Sequence, residues 1–195
     1  MTKDDVLRAI DRAWATAQAP SGDNLAGRDV CCGEYTYVAE FFRGKHWRDV
    51  DLRSLRGEYP GPHDACLSFM SAEAFRFFLP AYMVIAVEEQ QTSDAATDTA
   101  IFALAPPRYR PELDELARSI NEQVAQEDPD LDVETLHRGS GTSRESVREL
   151  RAWWELRVAD FTPEQRDAIV AFLEYSSSVL KDDMAGEALE HWRRV

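Results

Sequence analysis

The sequence of 195 residues is poor in cysteine and has no apolar run long enough to cross a membrane. Its three cysteines are too few, and odd in number, for a disulfide scaffold. The longest apolar run, Phe77 to Val87, has eleven residues, whereas a membrane span needs about 20. The first residues lack the basic and apolar regions of a secretory signal. These absences argue against a disulfide-rich secreted protein and a membrane protein, and we expect a soluble, cytoplasmic one.

Basic residues are outnumbered, since 22 Lys and Arg stand against 36 Asp and Glu, which gives a net charge of −14. Residues 111–195 carry 20 acidic and 10 basic groups, so this stretch holds most of the excess. A chain of this charge repels phosphate backbones and anionic lipid. We therefore expect no nucleic-acid or membrane partner, and we regard a basic protein as the partner that the charge would attract.

Apolar residues at helical spacing recur through most of the chain, which predicts an all-α fold. Thr2 with Asp5, and Thr162 with Gln165, have the spacing of capping boxes at helix starts. Residues 44–67 and 91–110 are expected to be connecting segments, because prolines and glycines interrupt them. The prediction is one irregular helical bundle over residues 1–195, which can divide into lobes 1–105 and 106–195.

The most apolar predicted helix follows Ser71 and should lie at the centre of the protein. Four of its residues are expected in the main core: Phe75, Phe78, Leu79 and Tyr82. Pro80 lacks a backbone N–H and should kink this helix or split it in two. Residues 82–87 also suit a strand, because they are rich in β-branched side chains. An α+β fold with a small sheet is therefore the alternative.

Two segments resemble a family of small bacterial proteins of unknown function. They are FRGKHW at residues 42–47 and EAFRFFLPAY at residues 73–82, which correspond to motifs F-R-G-K-x-W and E-A-F-R-x-x-L-P-A-Y. The segments FTPEQ at 161–165 and FLEY at 172–175 are similar to the C-terminal part of that family. The resemblance implies no activity, cofactor or catalytic residue, and residues 122–141 are expected to lie outside it.

The most metal-like group in the sequence consists of Cys31, Cys32, His63 and Cys66. The spacing His63-x-x-Cys66 would let one loop present two zinc ligands. Adjacent cysteines cannot easily face one ion, however, and small buried apolar side chains are the favoured interpretation of these thiols. The acids from Asp128 to Glu134 alternate but lack the glycine and the glutamate of a calcium loop. We therefore predict no metal, no cofactor and no catalytic residue.

An enzyme is the alternative function. The loop regions 20–33 and 44–66 collect polar and reactive residue types, and loops on a scaffold often carry function. A site built from them would use Asp23, Asn24, Glu34, His46 and His63. No spacing among these residues fixes a reaction class.

The favoured function is binding of a basic protein by an acidic one, as bacterial immunity proteins bind toxins. Thr142 with Glu145 predicts the start of a helix on which Trp154 points inward. Trp153 lies about 100° to one side of Trp154, with Leu156 further round, so both fall outside the main apolar stripe. Either the helix is central and buried on two sides, as packed tryptophans usually indicate, or this flank is an exposed anchor for a partner. The expected binding surface combines this flank with the neighbouring acids. Its residues are Asp128, Asp130, Asp132, Glu134, Trp153 and Leu156.

Overall fold

The computed structural model describes residues 1–27, 33–62, 66–89, 95–128 and 132–194. Within them the chain is helical, with eleven α-helices, one short 3₁₀ helix (Trp47–Asp49) and one π-helical turn (Ser176–Leu180). The α-helices are α1 (Lys3–Ala13), α2 (Gly33–Phe42), α3 (Leu52–Glu58), α4 (Cys66–Phe69), α5 (Ala72–Glu88), α6 (Ala95–Leu104), α7 (Pro111–Glu127), α8 (Val133–Gly139), α9 (Arg144–Val158), α10 (Pro163–Tyr175) and α11 (Asp183–Trp192). The all-α prediction is confirmed.

The alternative with a small sheet is wrong, because residues 82–87 belong to α5 and the described part of the chain contains no sheet. Ser71 accepts a hydrogen bond from the Ala74 N–H and starts α5. The helix continues through Pro80 to Glu88, so Pro80 does not split it. Twelve of its 17 residues are buried, and burial on several sides favours a helix over a half-exposed strand.

The chain divides into two compact units. Unit 1 comprises residues 1–105 and 157–195, and unit 2 comprises residues 106–156. The first boundary falls after residue 105. Residues 157–195 belong with unit 1, whereas the lobes expected from the sequence place them with residues 106–156.

Unit 1 has an apolar core around α5. Phe75, Phe78, Leu79 and Tyr82 are all buried in it, as predicted. The indole N–H of Trp14 donates to the Arg76 carbonyl at 2.8 Å, and that of Trp192 donates to the Leu104 carbonyl at 2.9 Å. These bonds satisfy the polar ends of two buried tryptophans, so both can lie in the core at little cost.

Capping residues set several helix ends in unit 1 as predicted. Thr2 and Thr162 each form a full capping box, with Asp5 and Gln165 as the reciprocal partners. Gly44 has a φ of 72°, the left-handed conformation that follows a helix C-terminus and that glycine adopts without strain. Among the described residues, no helix is both long and apolar enough to cross a membrane.

Candidate functional site

Unit 2 is built with little apolar core. Among its described side chains, Trp154 is the one large apolar side chain that is buried, with 3% of its surface exposed. Seven others are exposed: Leu113, Leu116, Ile120, Val124, Leu150, Trp153 and Leu156. Exposed apolar side chains are ordinary when scattered, but a concentration in 51 residues is typical of an interaction surface. All six residues of the predicted binding surface also belong to unit 2.

Helix α9 directs its two tryptophans to different environments. Trp154 faces inward, while Trp153 is 42% exposed and Leu156 is 70% exposed. The helix begins one residue later than the capping box at Thr142 predicts, because the Ser143 hydroxyl accepts the Ser146 N–H at 3.1 Å. The Thr142 hydroxyl instead donates to Asp114 Oδ1 at 3.4 Å. The exposed flank of α9 therefore carries an aromatic and an aliphatic side chain that a partner could cover.

Helix α7 carries a second exposed apolar stripe, which sequence reasoning used only as evidence for a helix. We call it the α7 ridge, and it consists of Leu113, Leu116, Ile120 and Val124. The face beside it is less exposed and holds Asp114 and Asn121. Asp114 and Asn121 are seven residues apart, so a helix places both side chains on one face. This spacing was the signal in the sequence that a polar face of α7, and not the apolar one, could point inward.

The interior of unit 2 is a polar network centred on Asp114. Its Oδ2 accepts a hydrogen bond from the Tyr109 hydroxyl at 2.9 Å, and its Oδ1 lies 2.9 Å from His137 Nε2. The hydrogen bond to Asp114, followed by burial and by the negative charge of Asp114, raises the pKa of Tyr109. Asp114 belongs to α7 and His137 to α8, so these contacts join the two helices and set which face of α7 points outward.

His137 has a structural position. It is 3% exposed, and both ring nitrogens are closed off from solvent. His137 Nε2 lies 2.9 Å from Asp114 Oδ1, but the two groups are not aligned for a hydrogen bond, and Nδ1 also makes none. The close approach of Asp114 and His137 joins α7 to α8.

A polar cavity of about 340 Å³ lies beside this network. It is lined by Tyr109, Asp114, Arg118, Glu134, His137, Ser143, Arg144 and Glu145. The Arg144 guanidinium lies 4.5 Å above the Tyr109 ring, and Arg118 pairs with Glu134 at 3.4 Å. Charges of both signs thus face the cavity. Across the part of the chain that the structure describes, no cluster of three or more His, Cys, Asp or Glu side chains fits a metal ion.

The predicted acidic residues have different environments. Asp128 is exposed, and Asp130 lies outside the described residues. The Asp132 carboxylate accepts the Thr135 N–H at 2.9 Å, so it caps the start of α8. Glu134 lies in the first turn of α8, not in a loop, and pairs with Arg118. Asp132 and Glu134 therefore have contacts of their own within unit 2.

Three residues of the alternative enzyme site, Asn24, Glu34 and His46, have local partners in unit 1. The Asn24 amide donates to Glu73, and Glu34 accepts the Tyr59 hydroxyl at 3.3 Å. His46 Nδ1 accepts the Arg48 N–H at 3.1 Å and caps the 3₁₀ helix. Asp23 is exposed. These contacts give Asn24, Glu34 and His46 roles in the fold.

The predicted zinc and thiol candidates fall largely outside the described residues, where Cys31, Cys32 and His63 lie. Cys66 is buried in unit 1, and this burial raises the pKa of its thiol to about 11. A thiol with a raised pKa is protonated at neutral pH, whereas a cysteine nucleophile must be a thiolate. Cys66 therefore has the character of a core residue.

Comparison with protein families gives one finding: residues 2–158 match a family of unknown function, DUF6714. The match includes residues 122–141, which the sequence resemblance had been expected to leave out. It ends before the FTPEQ segment at 161–165, and it spans α1 to α9, so unit 2 lies within it. No curated protein and no solved structure matches the chain.

Proposed function

This chain belongs to DUF6714, a family of unknown function, and we propose that it binds a basic protein partner through unit 2, in the manner of an immunity-type inhibitor. The observation that carries this proposal is the set of seven exposed large apolar side chains on a unit that buries a single one, counted over its described side chains. Fully burying a fully exposed side chain of this kind contributes about 1.5–3 kcal/mol, and these side chains, which are 39–70% exposed, contribute a part of that. A partner that covers several of them gains a large share of its binding free energy.

Charge favours a basic partner over a neutral one. Unit 2 contains twelve acidic and seven basic residues, and the whole chain has a net charge of −14. Acids around an apolar surface attract a cationic protein during diffusion and raise the association rate, while they add less to the lifetime of the complex. The apolar anchors act mainly on dissociation. The two kinds of residue therefore have separable kinetic effects.

The first experiment is affinity capture from the native cell with the purified protein as bait, with Trp153→Ala bait run in parallel. We expect a basic protein that the wild type retains and the variant loses. With that protein purified, Trp153→Ala should raise the dissociation rate about tenfold or more, which corresponds to ~1.4 kcal/mol. Arg148→Ala is a matched control, because Arg148 is exposed on the same helix. Equal dissociation rates for all three proteins would contradict the proposal.

A second variant separates charge from apolar contact. Replacing Asp128 and Asp130 with Asn should lower the association rate and weaken its dependence on salt, because rim charges act at long range. Asp132 is left intact, since its carboxylate caps α8 and its loss would disturb the helix. An association rate that does not change in the double variant would show that these acids serve solubility alone.

A further inference from the structure

We propose that a pocket in unit 1 binds a small organic amine, in which one primary ammonium group is attached to an apolar chain. The pocket has a volume of about 250 Å³ and lies between α1, α5 and the 3₁₀ helix. All of its lining residues belong to unit 1, so the inference goes beyond the proposed function, which concerns unit 2. We call it the α1–α5 pocket, and its apolar wall consists of Leu7, Trp47, Val50, Ala81 and Val84.

The apolar wall provides the floor of the pocket. Trp47, Val50 and Ala81 are buried, while Leu7 and Val84 are partly exposed. Sites for small molecules are typically lined by apolar side chains, with a few polar groups that orient the ligand. An apolar chain that enters this pocket gains free energy because it leaves water.

The charged lining residues favour a cation. They are Asp11, Arg48 and Glu88, which together carry one net negative charge. Arg48 donates from Nε and Nη2 to Asp11 Oδ1 at 2.9 and 2.5 Å, so these two charges neutralise each other. Glu88 is exposed and forms no ion pair with any described residue. The pocket therefore has one carboxylate whose charge is not compensated.

Helical spacing places this carboxylate at one end of the apolar wall. Ala81, Val84 and Glu88 follow one another at intervals of three and four residues, so they share one face of α5. Ala81 and Glu88 are about two turns apart, or roughly 10 Å along the helix. A ligand that lies along this face contacts apolar side chains first and the carboxylate at its end, which fits an apolar chain with a terminal ammonium group.

The backbone adds to the preference for a cation. Glu88 is the last residue of α5, a helix of 17 residues. The last carbonyl groups of a helix have no partner within it and give this end a partial negative charge. An ammonium group beside Glu88 thus meets a carboxylate and the negative end of a helix. A carboxylate or phosphate group of a ligand would be repelled by both.

Contacts within the lining fix one side of the pocket before a ligand binds. The Arg48 guanidinium lies 4.4 Å from the centre of the Trp47 ring and pairs with Asp11 of α1. Arg48 therefore joins the 3₁₀ helix to α1 and keeps the buried tryptophan in place. A site that is already ordered loses less conformational entropy on binding than one that must be formed.

The test compares n-hexylamine with 1-hexanol, which has the same apolar chain and no charge. The amine is protonated at neutral pH, as a lysine side chain is. Two-dimensional NMR of the ¹⁵N-labelled full-length protein at low salt measures both affinities and locates the binding. We expect the amine to bind about fivefold more tightly, because an exposed carboxylate and a helix terminus each add modestly to affinity. The shifted amides should lie at residues 47–50 and 81–88.

Three variants assign the effect to the pocket. Glu88→Gln should abolish the preference for the amine and leave the affinity for 1-hexanol unchanged. Glu40→Gln is the matched control, because Glu40 is an exposed acid of α2 that does not line the pocket. It should change the affinity for the amine less than about twofold, since distant surface charges are screened. Val84→Phe should weaken the binding of both probes, because its ring fills part of the pocket.

Circular dichroism verifies that the variants keep their helix content. Equal binding of the two probes by the wild type would overturn the inference. So would a preference for the amine that persists in Glu88→Gln, or amide shifts that lie away from the α1–α5 pocket. Since Glu88 is exposed, its variant tests the inference even if Val84→Phe does not fold.

A third probe separates a free amine from a lysine side chain of a peptide. Nα-acetyl-L-lysine methylamide carries the same ammonium group on a shorter apolar chain with a polar backbone attached. We expect it to bind more weakly than n-hexylamine, because less apolar surface leaves water. Tighter binding of the lysine derivative would overturn the assignment to a free amine, since a peptide would then be the better ligand.

Discussion

Units 1 and 2 place their apolar residues in opposite ways. In unit 1, α5 alone buries twelve residues, and α10 buries five more. In unit 2, α7 and α9 together expose seven large apolar side chains, while Asp114 and His137 meet in the interior. Helices with similar amphipathic patterns thus have different roles. Those of unit 1 build the core, and those of unit 2 present an apolar surface.

The two arrangements have different energetic consequences. An apolar core gains free energy from each side chain that it removes from water. A polar interior gains little net free energy from each hydrogen bond, since the unfolded chain bonds to water instead. It does, however, fix geometry, because a half-buried carboxylate with two partners tolerates few alternative positions. We infer that unit 1 provides most of the stability, while unit 2 carries the exposed apolar side chains on which the proposed binding depends.

The largest expected effect is on the core of unit 1. Phe78→Ala removes a fully buried ring from α5 and should lower the free energy of unfolding by about 3–5 kcal/mol. The matched change in unit 2 is Leu116→Ala, at an exposed position of α7, and it should cost less than about 0.5 kcal/mol. Chemical denaturation measures both. Equal losses would mean that the two units do not differ in the way their apolar residues contribute to stability.

Local sequence chemistry predicted much of unit 1. The capping boxes at Thr2 and Thr162 are confirmed, because a cap depends on residues three apart and needs no tertiary information. The predicted burial of the α5 core residues is confirmed. It could be predicted because a helix that is apolar on nearly every side must be buried. The segments 44–67 and 91–110 were expected as connections, yet they contain α3 and α6. Asp51 and Ser54 cap each other at the start of α3, a signal that Gly57 and Pro60 obscured.

The surface of unit 2 was predicted in part. Helical angles placed Trp153 and Leu156 away from the main stripe, and both are exposed. Angles show which residues share a face, but they do not show whether another element covers that face. The α7 ridge was missed for this reason. The start of α9 was misplaced by one residue because Thr142 contacts Asp114, a residue 28 positions away that no local pattern connects to it.

Hydrogen exchange should distinguish the units next. The amides of α5 should exchange only through global unfolding, because the helix is surrounded by core. The amides of α7 should open locally and exchange about 100-fold faster or more, since few apolar contacts hold that helix. Exchange monitored by mass spectrometry of peptides from 72–88 and 111–127 measures this. Protection of α7 equal to that of α5 would contradict the assignment of most of the stability to unit 1.

Alkylation of Cys66 tests whether water reaches the core of unit 1. Burial raises the pKa of Cys66 to about 11, so this thiol should resist alkylation at pH 9, where an unfolded cysteine reacts readily. The pKa of Cys66 is higher in the folded protein than in the unfolded one. Its contribution to the free energy of unfolding is therefore complete below about pH 8.5 and is lost as the pH rises through about 11. Mass spectrometry of the Cys66 peptide with and without denaturant measures the reactivity. Rapid labelling of the native protein would show that water reaches this part of the core.

The smallest expected effect is on the titration of Tyr109 in unit 2. The pKa values of Tyr109 and Cys66 are both raised, but for different reasons. The hydrogen bond to Asp114 is the main cause at Tyr109, whereas burial is the main cause at Cys66. Asp114→Asn should therefore bring the pKa of Tyr109 back towards the usual value of about 10. Carbon NMR of labelled tyrosine follows the titration, with Tyr109→Phe to assign the signal.

Glu112→Gln is the matched control for this titration, because Glu112 is an exposed acid on the same helix. It should leave the Tyr109 titration almost unchanged. Since the folded pKa is the higher one, the bond stabilises the fold below about pH 10, and this stabilisation is lost as Tyr109 ionises at higher pH. If Asp114→Asn does not lower the pKa of Tyr109, the polar network is not formed in solution. The outward orientation of α7 would then lack its physical basis, and so would the contrast between the two units.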